Sequence, residues 1–287
     1  MCLEDAFDLG YRQLAISGGE PLLYSALPDL LSRARALGMV TTLTSNGMLV
    51  TSGRWDPLAQ LVDVLAISID GKPAEHDAIR CREGAFARTV ANLDVIRASK
   101  VPFGFIFTLT QHNVDSLEYV VRLAAEHGAR SVQVHPLTLH GRAASLLRDA
   151  QPDGIELVAA LFEASRLGNK LGIAVQVDAL TVEQLIEYRS HVVPDRPVGD
   201  LVDVAPVLVI DADMSVVPLT HEINRAFQLG SLAHARLWSL ARDWLAAGKG
   251  DRLAAACEQT WTELTGGDGP QAFYWYDEVA TRTRVLT

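Results

Sequence analysis

The residues best able to do chemistry in this chain occur in short strings around glycines. In Ser17-Gly18-Gly19-Glu20-Pro21, two glycines leave backbone N–H and C=O groups open to close approach, and Glu20 offers a carboxylate to a cation such as an ammonium group. The same string also reads as an ordinary turn carrying a surface glutamate. Thr44-Ser45-Asn46-Gly47 contains an Asn-Gly pair, which tolerates left-handed backbone and suits a tight turn. In Ser68-Ile69-Asp70-Gly71 the two polar side chains share one face of an extended strand. There they can bond a ribose or another polar group, or Asp70 can cap the turn that follows. His76 and Arg80 lie four residues apart, on one helical turn. A guanidinium there can fork onto a carboxylate, or pair with Asp77 or Glu83 on the surface. Asn113 and the run His135–Arg142 close the series; the spacing of His135 and His140 within a loop has no metal-ligand logic, so no metal is expected.

To serve one site, these strings must be carried to one edge of a sheet. Strand patterns at 13–17, 40–44, 63–69, 103–109 and 130–135 alternate with helical patterns at 26–37, 84–99 and 114–127. Strands separated by single helices are parallel, and every string named above follows a strand. Five loops at the C-terminal ends of parallel strands make a shared pocket a better account than five separate turns. Periodicity leaves open whether the sheet is a doubly wound α/β layer or part of a barrel. A helix at 154–167 and a strand at 173–177 extend the series. The loop at 192–200, with Pro194 and Pro197, sets a soft boundary near residue 192. Beyond it, 206–210 and 214–217 read as a β-hairpin, and 232–247 and 252–264 as helices.

Composition narrows the function. The chain carries 25 Lys+Arg against 35 Asp+Glu, a formal net charge of −10, with no basic block. That lacks the electrostatic footprint of a nucleic-acid binder. Apolar runs are far shorter than the ~20 residues of a membrane span, and residues 1–5 resemble no secretory signal. Three widely separated cysteines, Cys2, Cys81 and Cys257, fit a reducing cytoplasm and build no CxxC-type site. No lysine sits at a strand end, which argues against a Schiff-base aldolase.

Taken in order, the strings Ser17–Pro21, Thr44–Gly47 and Ile67–Gly71, with His76, Asp77, Arg80, Gly84 and Phe86, resemble the radical S-adenosylmethionine (radical SAM) superfamily. Asn113, Gly128-Ala129 and Gly141-Arg142-Ala143 continue the pattern, which covers roughly residues 1–143. The string IDGKPAEHDAIR…GAF is most similar to the peptide- and cofactor-maturing branch with a SPASM or Twitch-type extension. The resemblance implies an α/β fold: a partial (βα)6 TIM-like barrel over residues 1–191, its first strand missing, with a small α+β extension over 192–287. It implies that Gly18, Gly19 and Glu20 hold the methionyl ammonium of S-adenosylmethionine. Ser68 and Arg80 would take its carboxylate, Asp70 would make polar contacts near the ribose, and Asn46 would line the pocket floor. The backbone around His135 and Leu137 would sit near adenine.

The family's [4Fe-4S] cluster is held by three cysteines, usually CxxxCxxC, after its first strand; this chain lacks that loop. Where the extension should carry a cysteine after its hairpin, the chain reads Pro218-Leu219-Thr220-His221. The chain alone is therefore expected to hold no stoichiometric cluster, and one is expected only if a missing N-terminal segment supplies the cysteines. The expected partner is a peptide substrate or a partner protein. Two functions stay open: a radical SAM enzyme acting on a peptide, or a degenerate, cluster-less member that binds without catalysis.

Overall fold

The computed structural model describes residues 2–139, 147–267 and 272–284; His140 and Gly141-Arg142-Ala143 lie outside them. The described chain forms two compact units, one of residues 12–139 and 147–178, the other of residues 2–11 and 179 onward.

The first unit is built on six strands: β1 (Gln13–Ile16), β2 (Val40–Ser45), β3 (Val64–Ser68), β4 (Phe103–Leu109), β5 (Ser131–Pro136) and β6 (Ala174–Val177). All neighbours are parallel and the spatial order is the sequence order. A doubly wound sheet reverses direction at a switch point; this one does not, and its order is that of a partial (βα) barrel. The five strands expected to be parallel neighbours are so, and the stretch at 173–177 supplies the sixth.

The registers sort the strand residues onto two faces. Leu43, Leu65, Ile67, Phe105, Phe107, Leu109, Val132 and Val134 share one face and are almost wholly buried. Helices cover it: α2 (Leu27–Ala36) packs on β2, and α6 (Leu117–Glu126) on β4 and β5. The helix Gly154–Leu171 packs on β6. The opposite face carries mostly small or polar residues. Its successive rows are Thr44–Ala66–Gly104–Ser131–Ala174, then Ser68–Ile106–Gln133–Gln176, then Thr108–His135. One face therefore drives folding through apolar burial, while the other is free to be chosen for chemistry.

In the second unit, β8 (Leu208–Ile210) and β9 (Ser215–Pro218) form the expected hairpin, joined antiparallel by β10 (Gly230–Ser231). The pair β7 (Leu180–Thr181) and β11 (Ala272–Phe273) is also antiparallel. Their core includes Val216, Val217, Leu237, Trp244, Leu253 and Cys257, and the first helix, α1 (Cys2–Asp8), packs Cys2 and Ala6 against it. Asp5 fixes that helix: its buried carboxylate accepts from the Arg236 guanidinium and from the Trp238 amide at 3.2 Å.

Candidate functional site

The strings around Glu20, Asn46, Ser68-Ile69-Asp70, Asn113 and His135 lie at or just beyond the C-terminal ends of parallel strands. After β1, Gly18 adopts φ +105°, and a Cβ built on Gly18 or Gly19 would meet nothing within 4 Å. Gly18 is required by its backbone; Gly19 is required by neither backbone nor packing, which fits close approach by something other than this chain. Glu20 is held from three sides. Its Oε1 accepts from Leu22 N at 3.2 Å and Ser45 Oγ at 2.9 Å, and its Oε2 from Asn46 N at 2.9 Å. A carboxylate has about four lone-pair sites, so one on Oε2 stays open to a further donor.

Asn46 is spent on local geometry: its Oδ1 accepts from Met48 N and its carbonyl from Thr89 Oγ1. Gly47 next to it, at φ +76°, would place a Cβ 2.6 Å from Thr89 Cγ2, so α5 (Ala85–Ser99) closes over this turn.

The ends of β3 and β4 form a second group. Asp70 is fully buried; its Oδ2 accepts from Arg80 Nε at 2.7 Å and its Oδ1 from Thr108 N at 3.3 Å. All of its observed contacts are internal, and it meets the outside through Arg80. The terminal nitrogens of Arg80 carry no bond to the described residues, and the side chain is part-exposed. Asp70 thus orients a fork whose free edge can receive a carboxylate. The Ser68 hydroxyl likewise has no partner among the described residues. Asn113, also buried, clamps the rim by donating to Asp70 O at 3.2 Å and Thr108 O at 2.8 Å while accepting from Thr110 N at 2.7 Å.

His76 completes this group. Its Nδ1 accepts from the Asp70 amide at 3.1 Å, which sets the Nε2–H tautomer. Burial pushes its pKa below the usual histidine value, although the Asp70 charge pulls the other way. The 3.6 Å approach of Nδ1 to the Asp70 carboxylate is therefore a neutral contact. Asp77 accepts from Gly84 N at 2.7 Å and Phe86 N at 2.8 Å, closing the start of α5, and the Phe86 amide chiefly holds its carboxyl below the usual range. The alternative pairing of Arg80 with Asp77 or Glu83 does not form.

At the far end of the sheet, His135 Nδ1 lies 2.9 Å from Asp178 Oδ2, which also accepts from Gln133 Nε2 at 2.7 Å. The Leu137 amide continues the ladder to Leu109 O. Sequence reasoning singled out neither Gln133 nor Asp178; the only signal was parity with His135 along β5 and a place directly after β6.

S-adenosylmethionine fits these residues: an open acceptor on Glu20, exposed glycine backbone, and donors on Ser68 and Arg80. An iron–sulfur cluster does not. Cys2 lies in α1, Cys81 is exposed, and Cys257 is buried in the core of the second unit, its thiol pushed up to about 12 by burial. No group of three or more His, Cys, Asp or Glu placed to hold a metal occurs among the described residues. The segment after the hairpin instead sets His221 Nδ1 2.6 Å from Asp211 Oδ1, with Arg225 on Oδ2.

A parallel sheet in sequence order, with glycines and charged groups at its C-terminal rim, defines the class of barrel-type α/β proteins that bind ligands at that rim. Residues 3–124 match the Radical SAM superfamily. It is 34% identical over 172 residues to the PqqA peptide cyclase of Ruegeria pomeroyi, covering 58% of this chain and 46% of that protein. It is 35% identical over 141 residues to the pre-heme d1 synthase of Dinoroseobacter shibae, covering 49% and 35%. The chain thus spans less than half the length of these curated relatives. In fold it is similar to anSMEcpe with bound AdoMet (TM-score 0.64, 16% identity, 98% of this chain and 82% of that one). It is likewise similar to Streptococcus suis SuiB (TM-score 0.63, 13% identity, 90% and 60%). SuiB is also known bound to its precursor peptide SuiA.

Proposed function

We propose that this chain is the S-adenosylmethionine-binding part of a radical SAM protein that modifies a peptide or peptide-derived substrate. The observation that carries the reading is the single open acceptor on Glu20 beside a glycine that nothing inside the chain requires. Glu20 would bind the ammonium, the Gly18-Gly19 backbone would admit the methionyl chain, and Ser68 and Arg80 would take the carboxylate, with Asp70 holding Arg80 in place. Asn46 shapes the floor by fixing the turn, and the backbone near His135 and Leu137 faces the adenine. If a cluster held by thiolates from outside these residues gave it one electron, bound S-adenosylmethionine would lose methionine and supply a 5′-deoxyadenosyl radical able to take a hydrogen atom from substrate. The names of the relatives, a PqqA peptide cyclase and a SuiB bound to a precursor peptide, support the peptide class. The three free cysteines suit the cytoplasm.

The second reading, a non-catalytic member that binds a peptide or partner protein, is favoured by the cysteine geometry. A cluster here needs thiolates from outside these residues. Anaerobic reconstitution with iron and sulfide separates the two: sub-stoichiometric iron is expected, and a full cysteine-dependent [4Fe-4S] complement would overturn that expectation. For the pocket, calorimetry with millimolar S-adenosylmethionine should show weak, saturable binding that Glu20→Ala abolishes. Gly19→Ala should abolish it too while leaving the melting temperature unchanged. Tight binding that survives Glu20→Ala, or no binding at all, would sink the assignment.

A further inference from the structure

The polar face of the sheet carries one charged group that the S-adenosylmethionine reading leaves unused. Asp178 follows β6, at the opposite end of the strand order from Glu20 after β1. Its Oδ2 is saturated by Gln133 Nε2 and His135 Nδ1, and its Oδ1 takes no bond from the described residues. The side chain is 18% exposed: sunk enough for its charge to be felt, open enough to be reached. Because an ionised carboxylate only accepts, the His135 nitrogen on it carries the proton, and two donors pin the carboxylate in one orientation. The nearest strand positions on this face, Thr108 beside His135 and Gln176 beside Gln133, are neutral, and the strand positions of this face include no Lys or Arg. A carboxylate fixed by an amide and an imidazole, with one oxygen left open, selects a cation that also donates hydrogen bonds.

We propose that Asp178, held by Gln133 and His135, is a specificity-determining residue that receives a basic side chain, a lysine ammonium above all, of the peptide substrate. This rests on the peptide reading above. It adds that the residue presented to this end of the sheet is cationic rather than apolar.

The test uses the whole chain, labelled with 15N, and two probes: Nα-acetyl-lysine methylamide and the norleucine analogue, which has the same aliphatic chain without the ammonium. The lysine probe should shift the side-chain amide signals of Gln133 and Gln176 saturably, and the norleucine probe should not. Asp178→Asn should weaken the lysine probe about tenfold or more, the scale of one charge-assisted hydrogen bond. Equal responses to the two probes overturn the proposal whether or not the variant folds, and so does an Asp178→Asn protein, natively folded, that binds lysine as before. Placing the same lysine within an alanine-rich decapeptide then isolates the peptide reading. Binding no tighter than that of the single residue would end that reading while leaving the cation site standing.

Discussion

At the scale of single residues, the rim separates positions that the fold itself requires from positions that it does not, although both types are glycine or polar. Gly47→Ala should lower stability by at least ~2 kcal/mol, since the new Cβ meets Thr89 and the residue must hold a left-handed conformation. Chemical denaturation measures this, and an unchanged midpoint would show that α5 yields easily. His76 gives a pH signature with a definite sign. Its folded pKa lies below the ordinary 6.5, so its contribution is complete above about pH 6.5 and is lost as pH falls below that towards the folded value. His76→Gln keeps an acceptor for the Asp70 amide without a titrating group. The stability profile of that variant should be flatter than wild type between pH 6.5 and 5; identical slopes would place the titration elsewhere. Little of this was legible beforehand. The string HDAIR suggested an arginine for a carboxylate, but only the fold shows that Asp70, ten residues earlier, orients that arginine. Proximity across a turn of this kind leaves no periodic trace in sequence.

Between elements, the strands were the most readable part of the chain. Their apolar alternation reports a buried face directly, and each expected strand lies within a residue or so of the observed one. Less legible was α3 (Ser52–Ala59), which contains Gly53 and Pro57, residues that ordinarily argue against a helix. Complete burial of Trp55 stabilises it all the same, a tertiary effect that local propensity cannot report. Asn113 was expected to help line a cavity; its buried amide proves to join the β3 and β4 ends. Asn113→Ala leaves the Thr110 amide and two carbonyls without their partner and should cost at least ~2 kcal/mol. Asn113→Asp keeps the acceptor but turns a carboxylate towards those carbonyls, so it should destabilise more. If thermal melts rank the two the other way, the clamp is not the source of the effect.

For the molecule as a whole, no helix among the described residues is long and apolar enough to cross a membrane. Sequence marks a boundary near residue 192 through its prolines, whereas compactness divides the described chain between Asp178 and Ala179 and gathers residues 2–11 with the tail. No run of Gly, Pro or Ser announces the earlier division, because the chain passes into β7 after a single residue. The buried Asp5 contact with Arg236 and Trp238 should be measurable from either end of the sequence. Asp5→Ala is expected to destabilise the second unit by about 1 kcal/mol, the modest value reflecting how exposed Arg236 is. Hydrogen exchange that slows or stays constant in the helix Leu237–Ala246 would contradict this. The Asp5 contact also orders events in time. On the ribosome the sheet-bearing unit has all its strands once residue 178 has emerged, while α1 must wait for a partner more than two hundred residues away. At about 5–20 residues per second, the newborn protein carries a helix with an unburied apolar side for several seconds after its sheet is complete. That interval is when a chaperone, or a tag fused ahead of α1, can most readily intervene.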